Sequence, residues 1–240
     1  MTGGQTWSKT SNFYVEDDAL ITSEGNGNVL IASPGFVFSS KYVYYSDNYG
    51  KTWKSYLLPE TSGSQYKAFF GKTTSTIFVN ADSLYYSRDD GKSWSADRLR
   101  FFSLTRNSNG TLLGFDSGRL GEDKAVFIST DDGHNWKKSG IVYSNSSACI
   151  SALADNSFLM VDKSYNQTLL SEDGTNWTKL DVKVAGSDST LSDILVTDPG
   201  FLNPDLRIVE GPQHYLYMTS RFNSEYSIPY FFVAKDPTSN

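Results

Sequence analysis

The hydrophobic pattern of this chain is a succession of short β-rich runs separated by Gly, Asn, Asp and Ser, which predicts strands joined by turns. The runs come in sets. Residues 19–22 and 29–32 flank the turn Gly25-Asn26-Gly27-Asn28, and 42–45 and 53–58 follow after a loop at 34–41. A tighter second set occupies 66–70, 77–80, 84–86 and the residues from 94 onward. The third runs 100–104, 112–115, 126–128 and 136–143, with a turn at 107–110 and a longer loop at 117–124. The fourth uses 149–153, 158–161, 168–170 and 177–184. The last is irregular. Residues 185–205, with an apolar run at 194–196, precede strands predicted at 206–209, 215–219 and 230–234. A connection of that length is usually functional or carries structure of its own. At the other end, residues 7–15 read as an outer strand with no set of their own.

A polar motif stands between the third and fourth run of each complete set. Ser87-Arg88-Asp89-Asp90-Gly91-Lys92-Ser93-Trp94 has copies at 46–53 and 129–136 and, one residue shorter, at 171–177. Gly4-Gln5-Thr6-Trp7 is the back half of a fifth. Each residue type has a local reason. An Asp or Asn two positions after Ser can fold back onto following backbone N–H groups, and Gly supplies the positive φ of a tight hairpin. Trp anchors the returning strand, with a large apolar surface to bury and an indole N–H that needs an acceptor. Trp53, Trp94, Trp136 and Trp177 recur every 41 or 42 residues, and a period of that length with several strands per repeat predicts a β-propeller of four-stranded blades.

The motif residues are Ser46, Asp47, Gly50 and Trp53; Ser87, Asp89, Gly91 and Trp94; Ser129, Asp131, Gly133 and Trp136; Ser171, Asp173, Gly174 and Trp177; and Trp7. Together they resemble the Asp-box, or BNR repeat, of sialidases, sortilin-type receptors, xyloglucanases and photosystem assembly factors. That resemblance implies a box joining the third and fourth strands of each blade, on the face away from the ligand, with structural acidic residues. The strand count then predicts a single all-β domain over 1–240, a five-bladed propeller of antiparallel four-stranded blades. The blades fall near 16–58, 60–99, 100–143, 146–184 and 206–240, the last completed by residues 1–15. Such closure would remove edges that template aggregation.

Composition narrows the partners. An aromatic share of 15% suits strands packed face to face, and 240 residues are enough to bury a core without staples. A net charge of -6 without any basic run argues against nucleic acid. No signal-like or long apolar stretch is present, which predicts a soluble, monomeric domain with no membrane insertion. The resemblance implies a secreted, cell-surface or periplasmic location. The lone Cys149 reads as a small buried hydrophobe. Sequons at Asn109, Asn145, Asn166 and Asn176 are near the number that chance supplies in a chain this rich in Asn, Ser and Thr.

In Asp-box families the site lies opposite the boxes, on loops after the second strand and between blades. Carried onto this sequence, that face offers Phe36, Asp82, Asp116, Arg119, Asp162, Tyr165, Arg221 and Tyr226 as ligand-binding residues. Aromatic planes beside carboxylates and guanidinium groups suit a glycan or an extended polypeptide. A sialidase reading meets the absence of the family's early Phe-Arg-Ile-Pro motif. Two carboxylates would suffice for another glycoside hydrolase. His134 lies in a box and His214 at a strand start, so neither a zinc cluster nor a nucleophile-base pair is indicated, nor any cofactor. The sequence therefore reads as a binding module for glycan, or a protein partner, with a propeller glycoside hydrolase as the alternative and no catalytic residue assigned.

Overall fold

The computed structural model describes residues 19–23, 26–33, 41–58, 67–73, 75–116, 124–143, 148–162, 167–181, 207–210, 215–219 and 231–235. The predicted outer strand at 7–15 with Trp7, and the long connection at 185–205, lie outside the described residues. Every regular element described is a β-strand. No helix among them is long and apolar enough to cross a membrane. The chain divides into two compact units, 1–100 and 101–240.

The first unit holds two antiparallel sheets. One is β1 (Leu20–Ser23), β2 (Val29–Ser33), β3 (Tyr42–Ser46) and β4 (Lys54–Leu57); the other is β5 (Lys67–Phe70), β6 (Ile77–Asn80), β7 (Leu84–Ser87) and β8 (Ser95–Asp97). Strands follow one another in simple order, because each connection is a hairpin. Leu30, Ala32, Val43 and Tyr45 of the first sheet pack on Ala68, Phe70, Ile77 and Val79 of the second, with Tyr56 and Trp94 at the margin. β6 is buried on both faces, which explains why Ile77-Phe78-Val79 is a continuous apolar run rather than an alternation.

Three sheets make up the second unit. They are β9 (Phe101–Arg106), β10 (Leu112–Asp116), β11 (Lys124–Ser129) and β12 (Lys137–Tyr143); β13 (Ala148–Ala152), β14 (Phe158–Asp162), β15 (Gln167–Ser171) and β16 (Thr178–Leu180); and the three-stranded β17 (Arg207–Glu210), β18 (Tyr215–Thr219) and β19 (Phe231–Lys235). Leu113, Phe115, Val126 and Ile128 pack on Ala148, Ile150, Phe158 and Met160, and Trp177 covers the edge. Cys149 forms no disulfide and is half-buried rather than fully enclosed, because strand alternation turns Ala148 and Ile150 to this core and Cys149 to the opposite face.

Within each unit the first strands of consecutive sheets lie side by side, β1 by β5, β9 by β13 and β13 by β17. Hydroxyl side chains bridge them. Thr22 Oγ1 donates to the Ala68 carbonyl at 2.7 Å. Ser103 Oγ donates to the Ile150 carbonyl at 3.2 Å and accepts from the Ile150 N–H at 3.0 Å, and Thr105 Oγ1 accepts from Ala152 N–H at 3.2 Å. These contacts satisfy backbone groups on the edge strands β5 and β13, which would otherwise lack a ladder partner.

Candidate functional site

Each four-stranded sheet has two chemically different ends, set by the register of its second and third strands. Val29 pairs with Ser46, Ile77 with Ser87, Leu112 with Ser129 and Phe158 with Ser171, so the box begins where strand two begins. Strand two then runs to the other end of the sheet, to Ser33, Asn80, Asp116 and Asp162.

At the box end the serine and the acidic side chain two residues on are bonded within their own turn. The buried serine hydroxyl accepts from the box glycine N–H at 2.8 Å for Gly50, Gly91 and Gly174 and 2.9 Å for Gly133. That hydroxyl donates to the acidic side chain two residues on, at 2.8 Å for Asp89 and Asp131 and 3.1 Å for Asp173. The carboxylate also accepts from the backbone N–H of Ser93 or Asn135 at 2.9 Å and from their side chains at 2.6 Å. These donors favour the charged form. They hold Asp89 and Asp131 down at about 2, the side-chain bonds from Ser93 and Asn135 contributing most, and Asp173 is likewise depressed, chiefly by the Asn176 N–H.

Box one requires a correction. Asp47 does not take the acidic position. Asn48 does, accepting from the Thr52 N–H at 2.9 Å and from Ser46 Oγ at 3.1 Å, and donating to Thr52 Oγ1 at 2.6 Å. Asp47 instead makes an exposed 3.3 Å ion pair with Lys54, worth little to stability. The physical requirement is an acceptor two residues after serine, which an amide oxygen meets as well as a carboxylate.

The tryptophans also differ from expectation. All four are partly buried and stand just before the returning strand rather than in it. The Trp53 indole N–H reaches the Gly50 carbonyl at 2.9 Å, and Trp177 reaches Ser139 Oγ, on the outer strand of the preceding sheet, at 3.3 Å. Those of Trp94 and Trp136 are buried without an acceptor.

At the opposite end, the structure describes Asp82, Asp116 and Asp162 among the expected ligand-binding residues. Phe36, Arg119, Tyr165, Arg221 and Tyr226 lie outside the described residues. Asp82 sits in the turn between β6 and β7, half-buried, accepting from the Tyr85 hydroxyl at 3.1 Å. Asp116 ends β10 at a β-bulge. Phe115 pairs with Ser103 but Asp116 with Phe101, leaving Phe102 as the extra residue, 47% exposed. Bulges re-aim side chains and are common beside functional sites, and neither the bulge nor Phe102 was signalled by the strand pattern. Asp162 is 1% exposed and accepts from Gln167 Nε2 at 3.4 Å. Among the described residues no group of three or more His, Cys, Asp or Glu could hold a metal ion.

A family profile described as BNR/Asp-box repeat matches residues 44–55 and 85–96, which are boxes one and two with the ends of their strands. The chain carries BNR/Asp-box repeats. Outside those matches box three forms the same hydrogen-bonded turn, and box four a turn one residue shorter. No curated protein matches the chain in sequence. Among solved structures it is similar to "YCF48 bound to D1 peptide", at 14% identity and a TM-score of 0.54 over 99% of this chain and 71% of that one. It is also similar to a streptogramin B lyase, at 12% and 0.58 over 96% and 73%. A third is virginiamycin B lyase from Staphylococcus aureus, at 14% and 0.51 over 85% and 75%. At such identities the likeness concerns the fold, and that fold is a β-propeller of Asp-box repeats.

Proposed function

We propose that this Asp-box propeller is an extracytoplasmic binding module that recognises a glycan, or a protein partner, through the loops opposite the boxes. The observation that carries the reading is the asymmetry of the sheets. At one end the box carboxylates are saturated by donors of their own turn. At the other, Asp82 and Asp116 stand at strand ends, the latter beside a bulge with an exposed aromatic ring. An aromatic plane next to a carboxylate suits a sugar, since the ring stacks on C–H groups while the carboxylate accepts from hydroxyls. Phe36, Arg119, Tyr165, Arg221 and Tyr226 are the further contacts this reading assigns.

The reading includes a single five-bladed ring, with residues 1–15 as the fourth strand of the last blade. One feature supports it. Among the described residues the sheet β17–β18–β19 has three strands where the others have four.

A protein ligand is the nearest competitor, because a propeller of similar fold is bound to a D1 peptide. A glycoside hydrolase needs a second carboxylate besides Asp116 across the scissile bond. The test is binding of the purified chain to a glycan array and to a peptide library, followed by calorimetry on hits. Phe36→Ala, Asp116→Ala and Arg119→Ala are expected to weaken binding with unchanged melting. Sugar release from a bound oligosaccharide would replace the binding module with the hydrolase, and loss of affinity on Asp89→Ala in a still-folded protein would move the site to the box end.

A further inference from the structure

Three consecutive side chains of β9 stand in three different environments. Phe101 is 3% exposed, its ring centred 5.0 Å from that of Trp136 and 6.4 Å from that of Phe127, and it closes over Gly114. Ser103 is tied to the adjoining strand β13, its hydroxyl donating to the Ile150 carbonyl and accepting from the Ile150 N–H. Phe102, between them, is 47% exposed. Register explains the difference. Ser103 pairs with Phe115 and Phe101 with Asp116, so Phe102 has no partner on β10 and the bulge turns it outward.

A single exposed aromatic residue is ordinary on a protein surface. This one has both chain neighbours fixed, Phe101 by packing and Ser103 by two hydrogen bonds. Its ring is therefore carried by a rigid strand rather than a loop, and little freedom is lost when a ligand settles on it. The chemistry alongside selects that ligand. Asp116 ends β10, Asp162 ends the corresponding strand β14 of the adjoining sheet, and the whole chain has a net charge of -6. A carboxylate accepts charge-assisted bonds from hydroxyls and repels a second anion.

We propose that Phe102 is the stacking residue of a subsite for a neutral pyranose, whose C–H face lies on the ring while its hydroxyls donate to Asp116. This inference rests on the glycan reading above and narrows it, to uncharged sugars and away from a protein ligand.

The test screens the full chain on a glycan array carrying neutral pyranosides, uronates and sialosides. Calorimetry on the hits then compares the parent with Phe102→Leu and Phe102→Trp. Both variants keep an apolar side chain at an exposed position, and their melting temperatures check that each is folded like the parent. Neutral hits are expected, bound about three- to tenfold more weakly by Phe102→Leu, the change that one lost aromatic stacking contact represents. Phe102→Trp should bind them at least as tightly as the parent. A neutral hit whose affinity survives Phe102→Leu overturns the stacking role and leaves the glycan reading standing. Hits confined to uronates or sialosides overturn the neutral class and shift the recognition to Arg119 and Arg221. A blank array overturns this inference together with the glycan reading, and peptide binding by the same protein would then leave the protein partner in its place.

Discussion

The box carboxylates make the protein acid-sensitive in a defined window. Asp89 and Asp131 lie at about 2 in the folded chain against an ordinary 3.8, so the unfolded state takes up their protons first. Their contribution is present in full above the ordinary value and is lost as pH falls toward 2. The double variant Asp89→Asn, Asp131→Asn should show a flatter loss of melting temperature on acidification than the parent, and an identical acid limb would show the boxes to be bystanders. Asn48 indicates that the amide will fold, since it already occupies this position. Tyr49 gives the opposite kind of prediction. It holds φ 61° with its side chain 62% exposed, where the other full-length boxes have Asp90 and Asp132. A left-handed backbone costs a side chain other than Gly or Asn about 1 kcal/mol, so Tyr49→Asn should raise stability to urea by that order. A decrease would mean that the ring's contact with Gly27 outweighs the strain.

Between elements, Trp177 docks beside the outer strand of the sheet before it. Trp177 finds Ser139, three residues after Trp136, as its acceptor. The matching residue for Trp94 is Tyr56, three after Trp53, whose ring lies against Gly91 and offers no bond to the indole nitrogen. Ser139→Ala should therefore cost about 1–2 kcal/mol by leaving a buried donor unpaired, read as a lower urea midpoint at constant slope. Gly114 has a packing role rather than a turn role. A Cβ there would stand 2.5 Å from two ring carbons of Phe101, on the adjoining strand. Gly114→Ala should cost about 1–3 kcal/mol through displacement of that ring. A neutral result would show that the Phe101 ring has room to move.

For the whole molecule, the five-bladed closed ring is the part of the proposal with the sharpest consequence. If residues 1–15 complete the last blade, deleting them bares the outer edge of β19. The shortened chain should aggregate or melt well below the parent. A monodisperse truncation with unchanged melting would remove both the closure and the blade count built on it.

The strand order was legible in the sequence because it rests on local chemistry. Alternating apolar runs, turn residues and a recurring Ser-Gly-Trp spacing each act within a few residues, and they placed β2, β6, β14 and β18 within a residue of their observed bounds. The site was less legible. Asp47 and Asn48 are adjacent and both polar, and only the three-dimensional turn decides that Asn48 meets Thr52 while Asp47 meets Lys54. Asp82, Asp116 and Asp162 look alike as strand-end acids, yet Asp162 is buried and Asp116 stands at a bulge, because burial and register are set by the strands they pair with and pack against. The turn at Asn109 is held in the same way, its N–H bonded to Asn156 Oδ1 on a hairpin 47 residues away. Short-range pattern determined the elements, and contacts between elements decided which of their polar groups are bonded and which are buried.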